Sequence, residues 1–562
     1  MPKCISSILI ILVFQANAFG QYFDWVKSIG GVNTYNIPNA IDVDSFKSII
    51  VCGRLAGIAD FDPSPATFNL SSAGMDDIYI AKYDSFGNMK WAKQIGSSNQ
   101  DTPADLILDR SGSSYVTGYF TGSVDFDPGP GTFFMAASLS FPDIFILKLD
   151  SLGNFVWSKR IGGGGPESGE SIAMDSSSNI LITGSFSGSV DFDPDTGSVV
   201  LVSGGNSDPF IAKLDSFGNL IYAKHFSGPT GGGCGVIVNT SSNACYVGGY
   251  YLDSADFDTD TGVVMLSSMG LEDCFVVKLD SSGDLIWAKS FGGTASESIY
   301  AMATDSTGSV YYGGWFNGTT DLDPGSGIFS VSSAGTWDAY IAKLDSNGNF
   351  VWGGQIGDAG PQYVEDMQVN GNGNIYVVGY FTGNVDLDPG TGSFNVISAG
   401  QTDLFVAQFD LSGSFMGGFR LGGQLNDGGQ AIDFDQSESI IISGIFASTM
   451  DFNPGSAVNN LTASGNSDAF ILKLRTTTVG ESELLKTKTR FYPNPANDLI
   501  TLSAGSELIG CSYSVMDIYG KELIRGSLLA NETTISLGQL SAGAYIIQIH
   551  GQYTTSVKFI KS

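Results

Sequence analysis

Seven short acidic motifs hold the first candidate chemistry in this chain: Asp60-Phe61-Asp62-Pro63, Asp125-Phe126-Asp127-Pro128, Asp191-Phe192-Asp193-Pro194, Asp256-Phe257-Asp258-Thr259, Asp321-Leu322-Asp323-Pro324, Asp386-Leu387-Asp388-Pro389 and Asp451-Phe452-Asn453-Pro454. Two carboxylates two residues apart on an extended strand project to one side. A following Pro-Gly turn adds carbonyl oxygens, so the set suits a hard cation such as calcium. The motif lacks the third acidic position and the closing Glu of a helix-loop-helix calcium loop. The competing reading is a structural corner, with the central Phe or Leu packed inward and each Asp accepting backbone amides. Asp125 and Asp127 typify the pairs for which both readings stand, and Thr259 and Asn453 weaken the cation reading in the fourth and seventh copies.

Other residue types narrow the chemistry further. Trp25, Trp91, Trp157, Trp287 and Trp352 recur in one register and invite a sugar-stacking role. Tyr222 and Met416 replace them in that register, which core packing tolerates and a stacking platform does not. The only histidines are His225 and His550, which excludes a Ser-His-Asp triad or a His-rich metal site within the repeats. Acidic pairs for glycoside hydrolysis remain, with Glu167, Glu170, Glu297 and Glu365 as the places to look, although each reads more readily as a solvated loop residue.

The elements that carry these residues repeat in step. Successive motif positions differ by 65, 66, 65, 65, 65 and 65 residues, so one unit has been copied with almost no insertion. Within each unit an alternating strand such as Asp143-Ile144-Phe145-Ile146-Leu147-Lys148-Leu149-Asp150 leads through a Ser-x-Gly-Asn turn to a strand such as Phe155-Val156-Trp157-Ser158-Lys159. Earlier, an apolar stretch ending in Asp or Asn (Asp44, Asp109, Asp175, Asn239, Asp305, Asn370, Asp435) turns into a strand like Tyr115-Val116-Thr117-Gly118-Tyr119-Phe120. That makes four antiparallel strands per unit, with the acidic motif between the second and third and no helical periodicity, as in the blades of a propeller. The seventh unit lacks its fourth strand, and Phe23 to Gly30 is a fourth strand with no unit before it. The expected fold is all-β: a seven-bladed β-propeller over residues 19–474, closed by the N-terminal strand, followed by a small C-terminal β-sandwich.

The chain ends point to export. Residues 1–18 carry Lys3, an apolar run from Ile8 to Phe14 and Ala16-Asn17-Ala18, the pattern of a secretory signal peptide and too short to span a membrane. No other stretch reads as a membrane span. Residues 475–489 read as a linker. From residue 490 onward five Lys or Arg balance five Asp or Glu, so the net charge of −31 sits on the propeller. That charge repels nucleic acid and anionic membranes and leaves cations and neutral glycans as partners. After signal removal Cys52, Cys234, Cys245, Cys274 and Cys511 remain, an odd number without metal-ligand spacing and with no implied disulfide framework.

Four blocks of the last segment follow in order: Phe491-Tyr492-Pro493-Asn494-Pro495-Ala496-Asn497-Asp498, Val515-Met516-Asp517-Ile518-Tyr519-Gly520-Lys521, Leu540-Ser541-Ala542-Gly543-Ala544-Tyr545-Ile546-Ile547-Gln548-Ile549 and Lys558-Phe559-Ile560-Lys561. Residues 490–562 thereby resemble the type A C-terminal sorting domain of the type IX secretion system. The resemblance implies a partnership with that machinery and a destination on the outer surface, or outside, of a Gram-negative bacterium. The repeats resemble the bacterial beta-propeller repeat family, which implies a fold and no single activity. The Asp-Ser-x-Gly-Asn-x-x-Trp hairpin resembles the Asp-box of sialidase propellers. Its spacings are each a residue too long, and Arg54, Arg110, Arg160 and Arg420 are the only arginines from which a catalytic triad could be drawn.

These observations favour a non-catalytic binding, adhesion or scaffold protein with an unknown surface glycan or protein ligand and no committed cofactor. The alternatives are a carbohydrate-active hydrolase or lyase and a purely structural surface-layer component. Contact is expected on the side carrying the connections between units, with Glu167, Glu297 and Gln362 as exposed contact residues.

Overall fold

A computed structural model describes residues 21–476 apart from 33, 139–140 and 240–242, and residues 490–561 apart from 493–494, 504–508, 510, 518–520, 531 and 551–553. The expected signal peptide at 1–18, and the expected linker beyond residue 476, lie outside the described residues. The chain divides into two compact units, Met1–Thr476 and Thr477–Ser562. Among the described residues there is no helix, and none is long and apolar enough to cross a membrane.

In the first unit one antiparallel order recurs in seven sheets. A typical repeat pairs Thr102–Leu108 with Ser114–Phe120, that strand with Asp143–Leu149, and that with Phe155–Gly163. The acidic motif leaves between the second and third strands as a small hairpin, Ser123–Asp125 against Phe134–Ala136. In the last sheet, Gly428–Phe434, Ile440–Phe446 and Asp468–Thr476 take their fourth strand from the beginning of the chain. Gln21–Ile29 pairs there from Gln21 opposite Thr476 to Ile29 opposite Ala469.

Third strands such as Asp77–Tyr83 are buried along their whole length, including their Asp and Lys. The core lies between sheets. Ile50, Ile78 and Ile80 of one repeat pack with Val116, Phe126 and Phe145 of the next, and Val51 and Tyr79 of the first repeat pack with Ile441 and Ile471 of the last. The first strand of each repeat lies against that of the next, and Gly428–Phe434 lies against Tyr35–Val43.

Each third strand opens on a buried aspartate. Asp77, Asp208 and Asp403 accept the N–H of the residue four positions earlier at 2.7, 2.9 and 2.8 Å. Asp143 reaches back five, to Ser138 at 3.0 Å, so the one-residue insertion that makes a single interval 66 is absorbed in this turn. A Cβ added at Gly162 would sit 2.2 Å from the Asp143 carboxyl carbon, and one at Gly30 would sit 2.0 Å from that of Asp468. Only glycine lets the fourth strand pass so close.

Glu167 and Glu297 enter these junctions from the start of the following repeat, and both are buried, at 1 and 0% exposure. This corrects the expectation of solvated loop residues. Glu297 accepts the Thr320 hydroxyl through Oε1 while its Oε2 lacks a protein partner, as does Oδ1 of Asp273 beside it. Burial, with the neighbouring Asp charge adding to it, pushes both glutamates up to about 8. A carboxyl so raised keeps its proton more tightly folded than unfolded, so its stabilising contribution is complete at low pH and disappears as pH rises through about 8. The thermal midpoint of the full chain should therefore fall as pH rises from the carboxylate range to about 8, and Glu297→Gln should flatten that fall. Identical slopes for variant and parent in a pH series of melts would contradict the assignment.

The second unit has a three-stranded sheet (Arg490–Tyr492, Leu499–Ser503, Glu532–Ser536) and a four-stranded one (Glu522–Ser527, Ser512–Asp517, Gly543–His550, Thr554–Lys561). Ile500, Leu502, Val515, Ile535 and Ile547 share one core. The last strand is tied back by Lys561 Nζ on Asp498 Oδ1 at 3.0 Å.

Candidate functional site

The acidic motifs use their carboxylates on their own backbone. Asp125 Oδ1 accepts the N–H groups of Asp127 (3.1 Å) and Phe133 (2.7 Å), and Asp127 Oδ1 accepts that of Gly129 (2.8 Å). The pattern holds in the first copy through Asp60 and Asp62 and in the last through Asp451 and Asn453. The central residues, from Phe61 to Phe452, are fully buried. This is the arrangement of a structural corner.

The repeated indoles are bonded as well. Trp91 Nε1 donates to Ser151 O at 3.3 Å and Trp287 Nε1 to Ser346 O at 3.2 Å, each reaching a turn of the next repeat. A Cβ at Gly153, where φ is +77°, would lie 2.8 Å from the Trp91 ring. These tryptophans hold repeats together. Cys52, Cys245 and Cys274 are free and buried, and Cys511 is free and half-buried.

A different set of residues gathers where the first and third strands begin. Every first strand carries a bulge, as between Pro103 and Asp105, Ile299 and Ala301, or Val364 and Asp366. The bulged residues, among them Glu170, Tyr300, Glu365 and Gln430, line a cavity of about 480 Å³ shared by the first strands of all the repeats. Asp42, Asp105, Asp366 and Asp433 stand beside them, and no Lys or Arg lines the cavity among the described residues. Four of these acids stitch neighbouring strands. Asp42 accepts the Leu108 N–H (2.8 Å), Asp105 that of Ile172 (2.9 Å), Asp366 that of Ile432 (2.8 Å) and Asp433 that of Val43 (2.8 Å). Burial pushes Glu365 up to about 8 and Asp366 and Asp433 up to about 7. Burial and then the Asp433 charge hold Asp42 well above the usual carboxylate range.

Beside this mouth lies an aromatic shelf. Trp315 and Trp337 meet at 6.0 Å between ring centres, Trp337 and Tyr363 at 6.0 Å, and Tyr363 and Tyr380 at 4.8 Å with planes 30° apart. Trp337 is 40% exposed and Tyr300 44%. Burial is the main cause of the raised hydroxyl pKa values of Tyr300, Tyr363 and Tyr380, and the adjacent Glu365 charge adds to each. At the Tyr380 end the shelf runs into a recess of about 250 Å³ lined by Tyr35, Glu365, Thr402, Asp427 and Gln430.

Of the sequence candidates, only Glu170 and Glu365 reach this mouth as accessible groups. Gln362, expected as an exposed contact, is buried with Glu167 and Glu297. The shelf was missed, although a signal exists. Positions equivalent to Trp337 hold Asp76, Pro142, Ser207, Glu272, Thr402 and Ser467, and those equivalent to Tyr363 hold Ile37, Thr102, Ser168, Gly233, Ser298 and Gly428. Aromatic residues replace them in two neighbouring repeats alone.

Residues 490–562 match the family described as secretion system C-terminal sorting domain, and residues 90–122 match the beta-propeller repeat. The chain is similar to an uncharacterized WD repeat-containing protein, L264, of Acanthamoeba polyphaga mimivirus, at 25% identity over 75% of this chain and 36% of the relative. It is also similar to the regulatory protein FlaEY of Caulobacter vibrioides, at 30% identity over 30% of this chain and 18% of that protein. The chain thus spans only about a third and a fifth of the lengths of these curated relatives. Among solved structures, PorZ, a surface component of the type IX secretion system of Porphyromonas gingivalis, aligns at 11% identity over 96% of this chain and all of that one, with a TM-score of 0.16. A DUF4221 family member from Bacteroides vulgatus aligns at 9% identity over 64% of this chain and 90% of that one, with a TM-score of 0.29. The chain contains a match to the β-propeller repeat and carries a type IX secretion sorting domain, the mark of proteins exported to the cell surface or surroundings of a Gram-negative bacterium.

Proposed function

We propose that this exported chain is a non-catalytic binding protein, whose seven repeats form one propeller closed by the N-terminal strand and whose ligand sits at the mouth. The observation that carries the reading is the departure of two neighbouring repeats at Trp337 and Tyr363, which join Trp315 and Tyr380 in one aromatic cluster beside a recess. Variation confined to one sector of a rigid, repetitive scaffold is how recognition is built without disturbing the fold. The closed ring is supported by the pairing of Gln21–Ile29 with Asp468–Thr476 and by the Asp433 to Val43 bond. Residues 490–562 would engage the secretion machinery. A second reading, a glycan hydrolase, draws on Glu365, whose raised pKa of about 8 is what a general acid needs.

The purified full chain, probed on an array of glycans and proteins, should show saturable binding that Trp337→Ala weakens, with mass spectrometry finding every bound probe intact. Cleaved probes would replace this reading with the enzyme, and an array without saturable binding would overturn it.

Deleting Phe23 to Gly30 should expose the apolar third strand of the last sheet, so the variant should aggregate or lose its cooperative melt. An unchanged melting transition would sink the closure.

Removing residues 490–562 should leave the repeat unit folded in the periplasm, read by fractionation and immunoblot. Normal appearance of the truncated chain in the medium would contradict the sorting role.

A further inference from the structure

The geometry points to a neutral glycan chain as the ligand, stacked on Trp337 at the edge of the cluster it forms with Tyr363 and Tyr380 and anchored by its hydroxyls in the adjoining recess. This assignment rests on the binding reading and supplies its ligand class. The pyranose face presents C–H groups with partial positive charge, and an aromatic face is the negative end of a quadrupole. Trp337, 40% exposed, presents such a face, with Tyr363 and Tyr380 packed in series against it. Trp337 contacts Tyr363, Tyr363 contacts Tyr380, and Tyr380 also lines the recess.

The recess supplies what sugar hydroxyls need. Glu365, which keeps its proton, and Gln430 donate and accept, and the hydroxyls of Tyr35 and Thr402 do both, while Asp427 is buried and held by the N–H groups of Gly423 and Ala447. Its volume of about 250 Å³ is below the roughly 300–1,000 Å³ of cavities that enclose compact drug-sized ligands. A space of that size suits the end or a short stretch of a chain whose remaining units lie outside on the shelf.

Charge removes the competing ligands. Neither the recess nor the channel beside it is lined by a Lys or Arg among the described residues. An anionic polysaccharide or a nucleic acid would meet like charge on a chain of net charge −31. A neutral glycan pays no such penalty and gains both stacking and hydrogen bonds.

The test is tryptophan fluorescence titration of the full chain with cellohexaose, mannohexaose and chitohexaose, with polygalacturonate as the anionic probe. At least one neutral hexaose should bind saturably. Trp337→Ala and Tyr363→Ala should each weaken it about tenfold or more, whereas Trp337→Phe, which keeps an aromatic face, should cost only a fewfold. Phe217→Ala, at an exposed turn on the opposite side, should leave affinity unchanged and report that folding is intact. Absence of binding by all three neutral hexaoses, or binding that survives both alanine variants, overturns the assignment. If a protein probe or polygalacturonate binds instead and Trp337→Ala weakens it, the glycan class is wrong while the mouth remains the binding site.

Discussion

No sheet of the repeat unit can cover its own apolar faces, and everything else in the molecule follows from that constraint. Ile50 and Ile78 find their partners in Phe126 and Phe145 of the next repeat, and Tyr79 finds Ile441 and Ile471 of the last. Burying an aromatic side chain of this kind contributes about 1.5–3 kcal/mol, and removing it typically costs about 3–5 kcal/mol. The contributions are available only when neighbours are present on both sides. The near-constant interval is the sequence expression of this demand, because an insertion inside a strand would shift a whole face out of register. The one extra residue falls in the turn before Asp143, where no face is affected.

Polar groups then specify the joints. Buried aspartates at the start of each third strand hold the preceding turn, and the glycines opposite them allow the backbone to approach. At the far end of the sheets the indole N–H groups bond the turn of the next repeat. Two repeats depart from a shared ion pair. Five repeats place a Lys on an Asp, as Lys82 on Asp44 at 2.9 Å; the sixth replaces both with Gln408 and Asn370, whereas the fourth keeps Lys278 opposite Asn239 and bonds its Nζ to Ser346 O at 2.8 Å.

Much of this was legible before the structure. The acidic corner could be read because its parts lie within nine residues of chain, and an Asx side chain bonding nearby amides is local physics. The fourth strand taken from the chain start could be read because an orphan strand and a missing one matched in pattern. Glu167 and Glu297 could not be placed, since in a Gly-rich stretch a glutamate looks solvated until the preceding repeat's Asp143 or Asp273 closes over it. The aromatic shelf stayed hidden for a related reason. Its rings come from a second strand, a third-strand approach and a first strand in two repeats, and only the fold brings them together.

Native-state hydrogen exchange on the full chain addresses the ring directly. If the N-terminal strand completes the last sheet, the amides of Gln21–Ile29 and Asp468–Thr476 should exchange together, with protection equal to that of interior strands such as Ile440–Phe446. Rapid exchange of Gln21–Ile29 while Ile440–Phe446 stays protected would mean that the chain start is a loose terminus and that the ring is open.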